Sequence, residues 1–382
     1  MSADAATVYS RKNPFPAPLL INRLLTGEGS EKDTRHYEIS LEGSGLAYEV
    51  GDSLGVFPSN DPALVDEILS VLELSGEESV TNPAGETVPL RKALLHDFII
   101  TEPSKQLLQA ISERDSSAEF LATFLDPAAK AELENYTWGR GVIDPLLEFP
   151  SARFTAEEFV KVLRKLQPRL YSIASSLKAH PGQVHLTIAT VEYESQGRAR
   201  KGVCSTFLAQ RVEGDTRVPV FVHTAKHFRV PEDAATDMIM VGPGTGIAPF
   251  RAFLQERKAT GASGRNWLFF GEQRSKSDFF YREEFEGYVA DGALNRFDTA
   301  FSRDQDYKIY VQHRMLENGR EIFGWLESGA CFYVCGDANR MAKDVDEALH
   351  QIVQKHGGKS PEEAEAYVAA MKKEKRYRKD VY

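Results

Sequence analysis

Three cysteines, Cys204, Cys331 and Cys335, are all that 382 residues contain. The number is odd and too small for a disulfide scaffold, and no pair has the spacing of a closed zinc site. Cys331 and Cys335 fall inside an apolar strand pattern and read as structural or redox-adjacent, and reduced thiols fit a cytoplasmic setting. No run approaches the ~20 apolar residues of a membrane helix, and the first thirty residues lack the charged-then-apolar order of a signal peptide. A surplus of positive charge is missing too: 46 Lys and Arg stand against 56 Asp and Glu, for a formal charge of −10. Such a surface repels phosphodiester backbones, so neither nucleic acid nor a membrane is the expected partner.

What is present is a well-packed composition, 42% hydrophobic and 27% charged, over a length of roughly 2.5 domains at ~150 residues each. Residues 1–14 are polar, without apolar periodicity, and read as a flexible leader. From 15 to 60 short apolar runs alternate with turns; Tyr37, Ile39 and Leu41 share one strand face, with His36, Glu38 and Ser40 on the other. Asp61-Pro62 then caps a helix carrying Leu64, Ile68, Leu69 and Leu72, and a helical stretch runs to 167. Its last helix is announced by a Thr155/Glu158 capping box and a Phe154/Phe159 staple. Strands return over 168–230, which makes 61–167 an insertion within a β-barrel. Over 231–382, Met238–Val241, Trp267–Phe270, Phe297–Phe301 and Phe332–Val334 read as buried parallel strands alternating with helices. Asp337 caps one such helix, ending at Gly357-Gly358, and Ser360, Pro361 and Glu363 cap another that runs into the C-terminal residues. The fold class expected is an antiparallel β-barrel with a helical insertion, followed by a doubly wound parallel sheet.

The strongest chemical signal is Val241-Gly242-Pro243-Gly244-Thr245-Gly246, between an apolar strand and a helix expected to end near Arg257. Glycines at a strand-to-helix turn let backbone amides approach a pyrophosphate, or they make a tight turn with no ligand. Ile247 and Pro249 stand where the usual dinucleotide fingerprint needs a third small residue. Ser302, Arg303 and Lys308 follow the third parallel run, at the strand edge where open α/β sheets bind ligands. They read as a hold for the 2′-phosphate of NADP, with Tyr310 against adenine, or as a solvated basic loop. Arg169, Tyr171 and Ser172 place a guanidinium, a phenol and a hydroxyl on one short strand. Gly202-Val203-Cys204-Ser205 opens an apolar helix whose first amides would suit a phosphate.

Together these stations resemble the ferredoxin-NADP reductase superfamily, in the branch of cytochrome P450 reductase and the sulfite reductase flavoprotein subunit, from about Asn13 to Tyr382. The resemblance implies that Arg169, Leu170, Tyr171 and Ser172 hold FAD, with Thr187, Ile188, Ala189 and Tyr193 on the next strand. Gly202, Val203, Cys204 and Ser205 would form the pyrophosphate turn, and Arg140 would be a further FAD contact. It implies NADP contacts at Arg23, Gly244, Thr245, Ser302, Arg303, Lys308, Ile309, Tyr310, Val311, Gln312 and Asp344. Ser172, Cys335 and Asp380 would line the reaction centre, orienting the reactants without covalent catalysis, while Tyr382 stacks on the flavin and swings aside for nicotinamide.

On this resemblance the chain takes FAD and NADPH as cofactors, moves hydride from nicotinamide to flavin, and releases single electrons to a protein. The expected acceptor is a sulfite reductase haemoprotein; ferredoxin, or a separate flavodoxin-like FMN protein, is the alternative. An idle FAD-binding subunit of an assembly is a reading of another class. Two departures stand out. The flavodoxin-like FMN domain that precedes this region in P450 and sulfite reductase flavoproteins has no counterpart in the dozen polar residues here, and Ala189 and Cys204 differ from the commonest flavoprotein forms. The closing tyrosine favours the sulfite reductase side, since P450 reductases end on tryptophan.

Overall fold

The computed structural model describes residues 9–382. Of the expected leader, residues 1–8 lie outside the described residues; Ser10 and Asn13 form a bridge, and Tyr9 packs edge-on against Phe15 at 4.9 Å. Along the chain the strands are β1 (Phe15–Leu24), β2 (Thr34–Ser40), β3 (Ser53–Val56), β4 (Ser79–Thr81), β5 (Thr87–Pro89), β6 (Arg169–Ser172), β7 (Gln183–Ala189), β8 (Glu192–Ser195), β9 (Arg198–Lys201), β10 (Arg217–His223), β11 (Met238–Val241), β12 (Asn266–Glu272), β13 (Arg296–Phe301), β14 (Cys331–Gly336) and β15 (Tyr377–Val381). Two compact units result: residues up to Gly55 with Leu170–Thr190 and Asp215–Tyr382, and Val56–Arg169 with Val191–Gly214. No helix is long and apolar enough to cross a membrane among the described residues.

The first unit holds a six-stranded sheet in the order β6-β3-β10-β1-β2-β7. β1 is antiparallel to β10 through Phe15–Pro18 and to β2 from Leu19 onward, so one long strand serves two neighbours. The outermost strands meet where Ile173, just past β6, bridges Leu186 of β7 and the Ala174 amide donates to the His185 carbonyl at 2.8 Å, curling the sheet into a barrel. Tyr37, Ile39, Val184, Leu186, Val218 and Val220 are buried, as the two-residue period requires. The opposite face of β2 is not polar-out, however: His36 is buried because Tyr281 and Arg251 pack over it.

The second sheet of this unit runs β13-β12-β11-β14-β15, all parallel. Its three central strands, β11, β12 and β14, are buried on both faces because helices cover both. Ile239, Val241, Trp267, Phe269, Phe332 and Val334 face one layer, with helices Met341–Gly357 and Pro361–Lys373. Met238, Met240, Leu268, Phe270, Tyr333 and Cys335 face the other, with helix Ala248–Thr260. Each fully buried aromatic or aliphatic side chain contributes about 1.5–3 kcal/mol. The helix after the glycine turn runs three residues past Arg257 to Thr260, where Gly261 terminates it with a left-handed φ of 66°. The final helix does not run on through Arg376–Tyr382: it stops at Lys373, and Tyr377–Val381 becomes the edge strand beside β14.

The second unit is built on one apolar cluster, in which Val65, Ile68, Leu69 and Leu72 of helix Pro62–Leu72 meet Leu107, Ile111, Ile143 and Phe159. Both local signals at the helix starts are realised: Asp61 accepts from the Ala63 amide, and Thr155 and Glu158 form the reciprocal capping box, with the Phe154 and Phe159 rings 6.1 Å apart. The chain breaks after Ala189, so Tyr193 lies in β8, paired with Arg200 of β9, rather than continuing β7.

Candidate active site

The glycine turn is shaped by what lies behind it. A Cβ on Gly246 would stand 2.1 Å from the Cys335 carbonyl oxygen, so the turn presses backbone to backbone against β14. Gly244 has a φ of +58°, a left-handed conformation that favours glycine, and a Cβ there would meet only the Glu272 carboxylate, at 3.6 Å. The third small residue of the usual fingerprint is unnecessary here, because Gly246 already makes the close approach.

Parallel pairing then sets Asp380 beside Cys335 and Val381 beside Gly336. Asp380 Oδ2 accepts the Ser172 hydroxyl at 2.7 Å and lies 3.9 Å from Cys335 Sγ. Complete burial, followed by the Asp380 charge, pushes the Cys335 thiol well above its ordinary value, so it stays protonated. One residue on, the Tyr382 amide donates to the Gly336 carbonyl at 3.1 Å, and its phenol shares a 2.9 Å hydrogen bond with Thr245. The residue as a whole nevertheless remains 62% exposed. Ser172, Cys335, Asp380, Tyr382 and Thr245, separate in sequence by up to 210 positions, are thus one cluster within the first unit.

Beside the turn, at the carboxyl ends of the strands, a cavity of about 540 Å³ is lined by Gly244, Ser302, Tyr310, Val311, Gln312 and Asp344 among others. Tyr310 is 46% exposed and caps the helix beginning at Val311, and Gln312 donates to Asp344 at 3.1 Å. Thr245, Arg303, Lys308, Ile309 and Arg23 do not line this cavity. Thr245 serves Tyr382 instead, while Arg303 is ion-paired with Glu31 at 2.5 Å. Arg23 is exposed on β1, and its charge adds to burial and to the Arg251 charge in depressing His36. Sequence reasoning missed Lys32 and Arg340, which also line the cavity. Lys32 arrives from the β1–β2 turn and pairs with Glu272 at 2.5 Å, a contact over 240 positions that no local pattern encodes.

The residues expected to hold FAD divide between the units. In the first, Leu170 is 49% exposed and Tyr171 half-buried, while Thr187, Ile188 and Ala189 close β7; Thr187 shares a 2.6 Å hydrogen bond with Tyr281. In the second, Gly202 precedes the turn Val203–Thr206, which contains the buried Cys204 and Ser205 and has no side-chain cap. Ser205 Oγ accepts the Val191 amide at 3.1 Å. Tyr193 and Val203 line a cavity of about 270 Å³ with Arg198, Arg200, Lys201 and Arg211, four cations the sequence reading passed over. Arg169 is exposed. Arg140 is engaged locally, donating to the Tyr136 carbonyl at 2.7 Å with its guanidinium 4.3 Å from that ring. Within the first unit, exposed Leu170 and Tyr382 are apolar surfaces that a flavin ring would cover.

A second buried cluster braces the barrel. His36 contacts Tyr281 Oη at 2.9 Å and Glu38 at 3.1 Å, and Arg251 donates to the Ala174 carbonyl at 2.7 Å and reaches His185 Nδ1 at 3.3 Å. Burial and then the Arg251 charge push His36 down to about 3 and His185 to about 2, so both are neutral.

Comparison with known proteins agrees with this geometry. Residues 8–207 match the family described as FAD binding domain, and residues 240–347 the oxidoreductase NAD-binding domain. The sulfite reductase [NADPH] flavoprotein alpha-component of Bacillus subtilis (strain 168) is 49% identical over all of this chain and 63% of its own length. Those of Aliivibrio fischeri and Serratia proteamaculans are 47% and 45% identical over 98% of this chain and 61% and 62% of their own. The chain thus spans about three fifths of the length of these relatives. With a barrel and a parallel sheet arranged as the two matched regions require, the chain belongs to the FAD binding domain family, joined to an oxidoreductase NAD-binding domain as in the ferredoxin-NADP reductase superfamily.

Proposed function

We propose that the chain is an NADPH-dependent flavoprotein reductase that passes single electrons to a protein acceptor, and that this acceptor is a sulfite reductase haemoprotein. The observation that carries the reading is the Ser172–Asp380–Cys335 cluster held against the glycine turn, with the exposed Tyr382 beside it. Leu170, Tyr171, Ser172 and Tyr382 would hold FAD. Gly244, Ser302, Arg303, Tyr310 and Gln312 would hold NADPH. When bound, FAD supplies the two-electron acceptance and one-electron release that no side chain provides.

The residues supply placement and charge. Asp380 fixes the Ser172 hydroxyl proton, which turns the lone pairs of Ser172 Oγ outward as acceptors. Burial keeps Cys335 a neutral thiol, so a soft uncharged group stands where an anion would repel electron-rich reactants. Tyr382 shields the site from water, and a single neutral hydrogen bond to Thr245, worth about 0.5–1.5 kcal/mol, lets the ring leave readily.

The test uses FAD-loaded protein under anaerobic conditions, with flavin absorbance followed after NADPH is added. Bleaching by NADPH much faster than by NADH supports the reading, and no bleaching by either defeats it. Electron delivery to a sulfite reductase haemoprotein, compared with ferredoxin and a flavodoxin, tests the acceptor.

A further inference from the structure

Between β1 and β2 the turn residues reach across to the ends of β12 and β13. Gly27 donates to the Ser277 carbonyl at 2.7 Å, Ser30 Oγ donates to Asp278 at 2.5 Å, and Lys32 pairs with Glu272 at 2.5 Å. Glu31, between two anchored neighbours, spreads its carboxylate over two guanidinium groups: Oε2 is 2.5 Å from Arg303 and Oε1 3.3 Å from Arg274. Ser302, next to Arg303, and Gln273, next to Arg274, both line the nucleotide cavity.

Resting on the NADPH reading above, we propose that Glu31 is a built-in competitor for the nucleotide. Its carboxylate occupies a two-arginine site, Arg274 with Arg303, that the 2′-phosphate takes on binding. A planar carboxylate with one oxygen on each arginine is the arrangement a phosphate reproduces with more charge and a third oxygen. Arg274 has capacity in reserve, since its Nη1 is buried without a hydrogen-bond partner. Displacement demands little. The Glu31 side chain is 57% exposed and can turn into water, while Ser30 and Lys32 hold the backbone of the turn in place. The pairing is one of charge, for Arg303 first and Arg274 second hold the Glu31 carboxyl below its ordinary value. The consequence is a site that discriminates by the 2′-phosphate yet binds reduced and oxidised nucleotide only moderately, which favours release of the product.

The test is calorimetric binding of 2′,5′-ADP and 5′-AMP to FAD-loaded protein, in wild type, Glu31→Gln, Glu31→Ala and Arg274→Ala. Wild type binds 2′,5′-ADP more tightly than 5′-AMP. Both Glu31 variants tighten 2′,5′-ADP by about three- to tenfold, the range set by two exposed ion pairs that no longer compete. Binding of 5′-AMP, which lacks the phosphate in question, changes by less than about twofold. Arg274→Ala weakens 2′,5′-ADP and leaves 5′-AMP alone. If wild type discriminates but the Glu31 variants bind 2′,5′-ADP no better, or worse, the competitor role is wrong while the NADPH reading stands. If wild type binds the two ligands equally, both are overturned.

Discussion

Gly246→Ala concentrates the account into one methyl group. The added Cβ would stand 2.1 Å from the Cys335 oxygen and 2.7 Å from its carbonyl carbon, where Cβ contacts under 3.0 Å are essentially never seen. Both obstacles are backbone, so no side chain can rotate away, and the turn and β14 must separate by nearly 1 Å. Overpacking of this kind costs about 1–3 kcal/mol of stability. The larger effect is positional. β14 carries Cys335, and through its register with β15 it sets Asp380, whose 2.7 Å bond to Ser172 cannot survive a shift of that size. A misplacement of about 1 Å in a reacting constellation costs about 10²-fold in rate. Stopped-flow reduction of FAD-loaded protein by NADPH measures the rate, and thermal melting measures the stability. A folded, FAD-containing Gly246→Ala protein reduced within threefold of wild type would refute the claim that this turn positions the reaction centre.

Asp380→Ala removes the acceptor of the Ser172 hydroxyl, a hydrogen bond to a charged group worth about 1.5–3 kcal/mol. Flavin reduction should slow about 10- to 150-fold while FAD stays bound, and an unchanged rate would return Asp380 to a structural role. Tyr382→Ala should open the site and narrow the preference for NADPH over NADH; an unaltered ratio of the two rates would contradict the shielding role. His36 and His185 are depressed to about 3 and about 2 by burial and Arg251. The unfolded chain takes up protons at about 6.5, so the stability these histidines contribute is complete above that pH and drains as pH falls toward their folded values. The loss is at most about 1.4 kcal/mol per histidine per pH unit. Wild type should therefore lose more unfolding free energy between pH 7 and pH 5 than a His185→Gln protein, and equal losses would show that the histidines are not buried neutral.

Features written in neighbouring residues were legible in the sequence. The capping boxes at Thr155 and Ser360, the cap and proline at Asp61-Pro62 and the four apolar parallel strands all rest on interactions within one turn or on a two-residue period. The fifth parallel strand was hidden because Tyr-Arg-Lys-Asp-Val is mostly charged, and its extended form comes from hydrogen bonding to β14. The burial of His36 was equally hidden: alternation assigned it the outer face of a barrel strand, and that face is covered by residues far away in sequence, Tyr281 among them at 245 positions. The chemistry divides along the same line. Cys335, Asp380 and Ser172 could be nominated by resemblance, but Glu31, Lys32 and Arg274 act through contacts spanning about 240 residues, for which a linear pattern has no signal.

On the proposed function, the Ser172–Asp380–Cys335 cluster would align a bound flavin with NADPH. The most direct measurement is single-turnover absorbance of the FAD-loaded protein, mixed anaerobically with NADPH deuterated at the transferred position. Rapid bleaching with a kinetic isotope effect is expected, slowed about 10- to 150-fold in Asp380→Ala. A flavin that binds but remains oxidised in the presence of NADPH would contradict it.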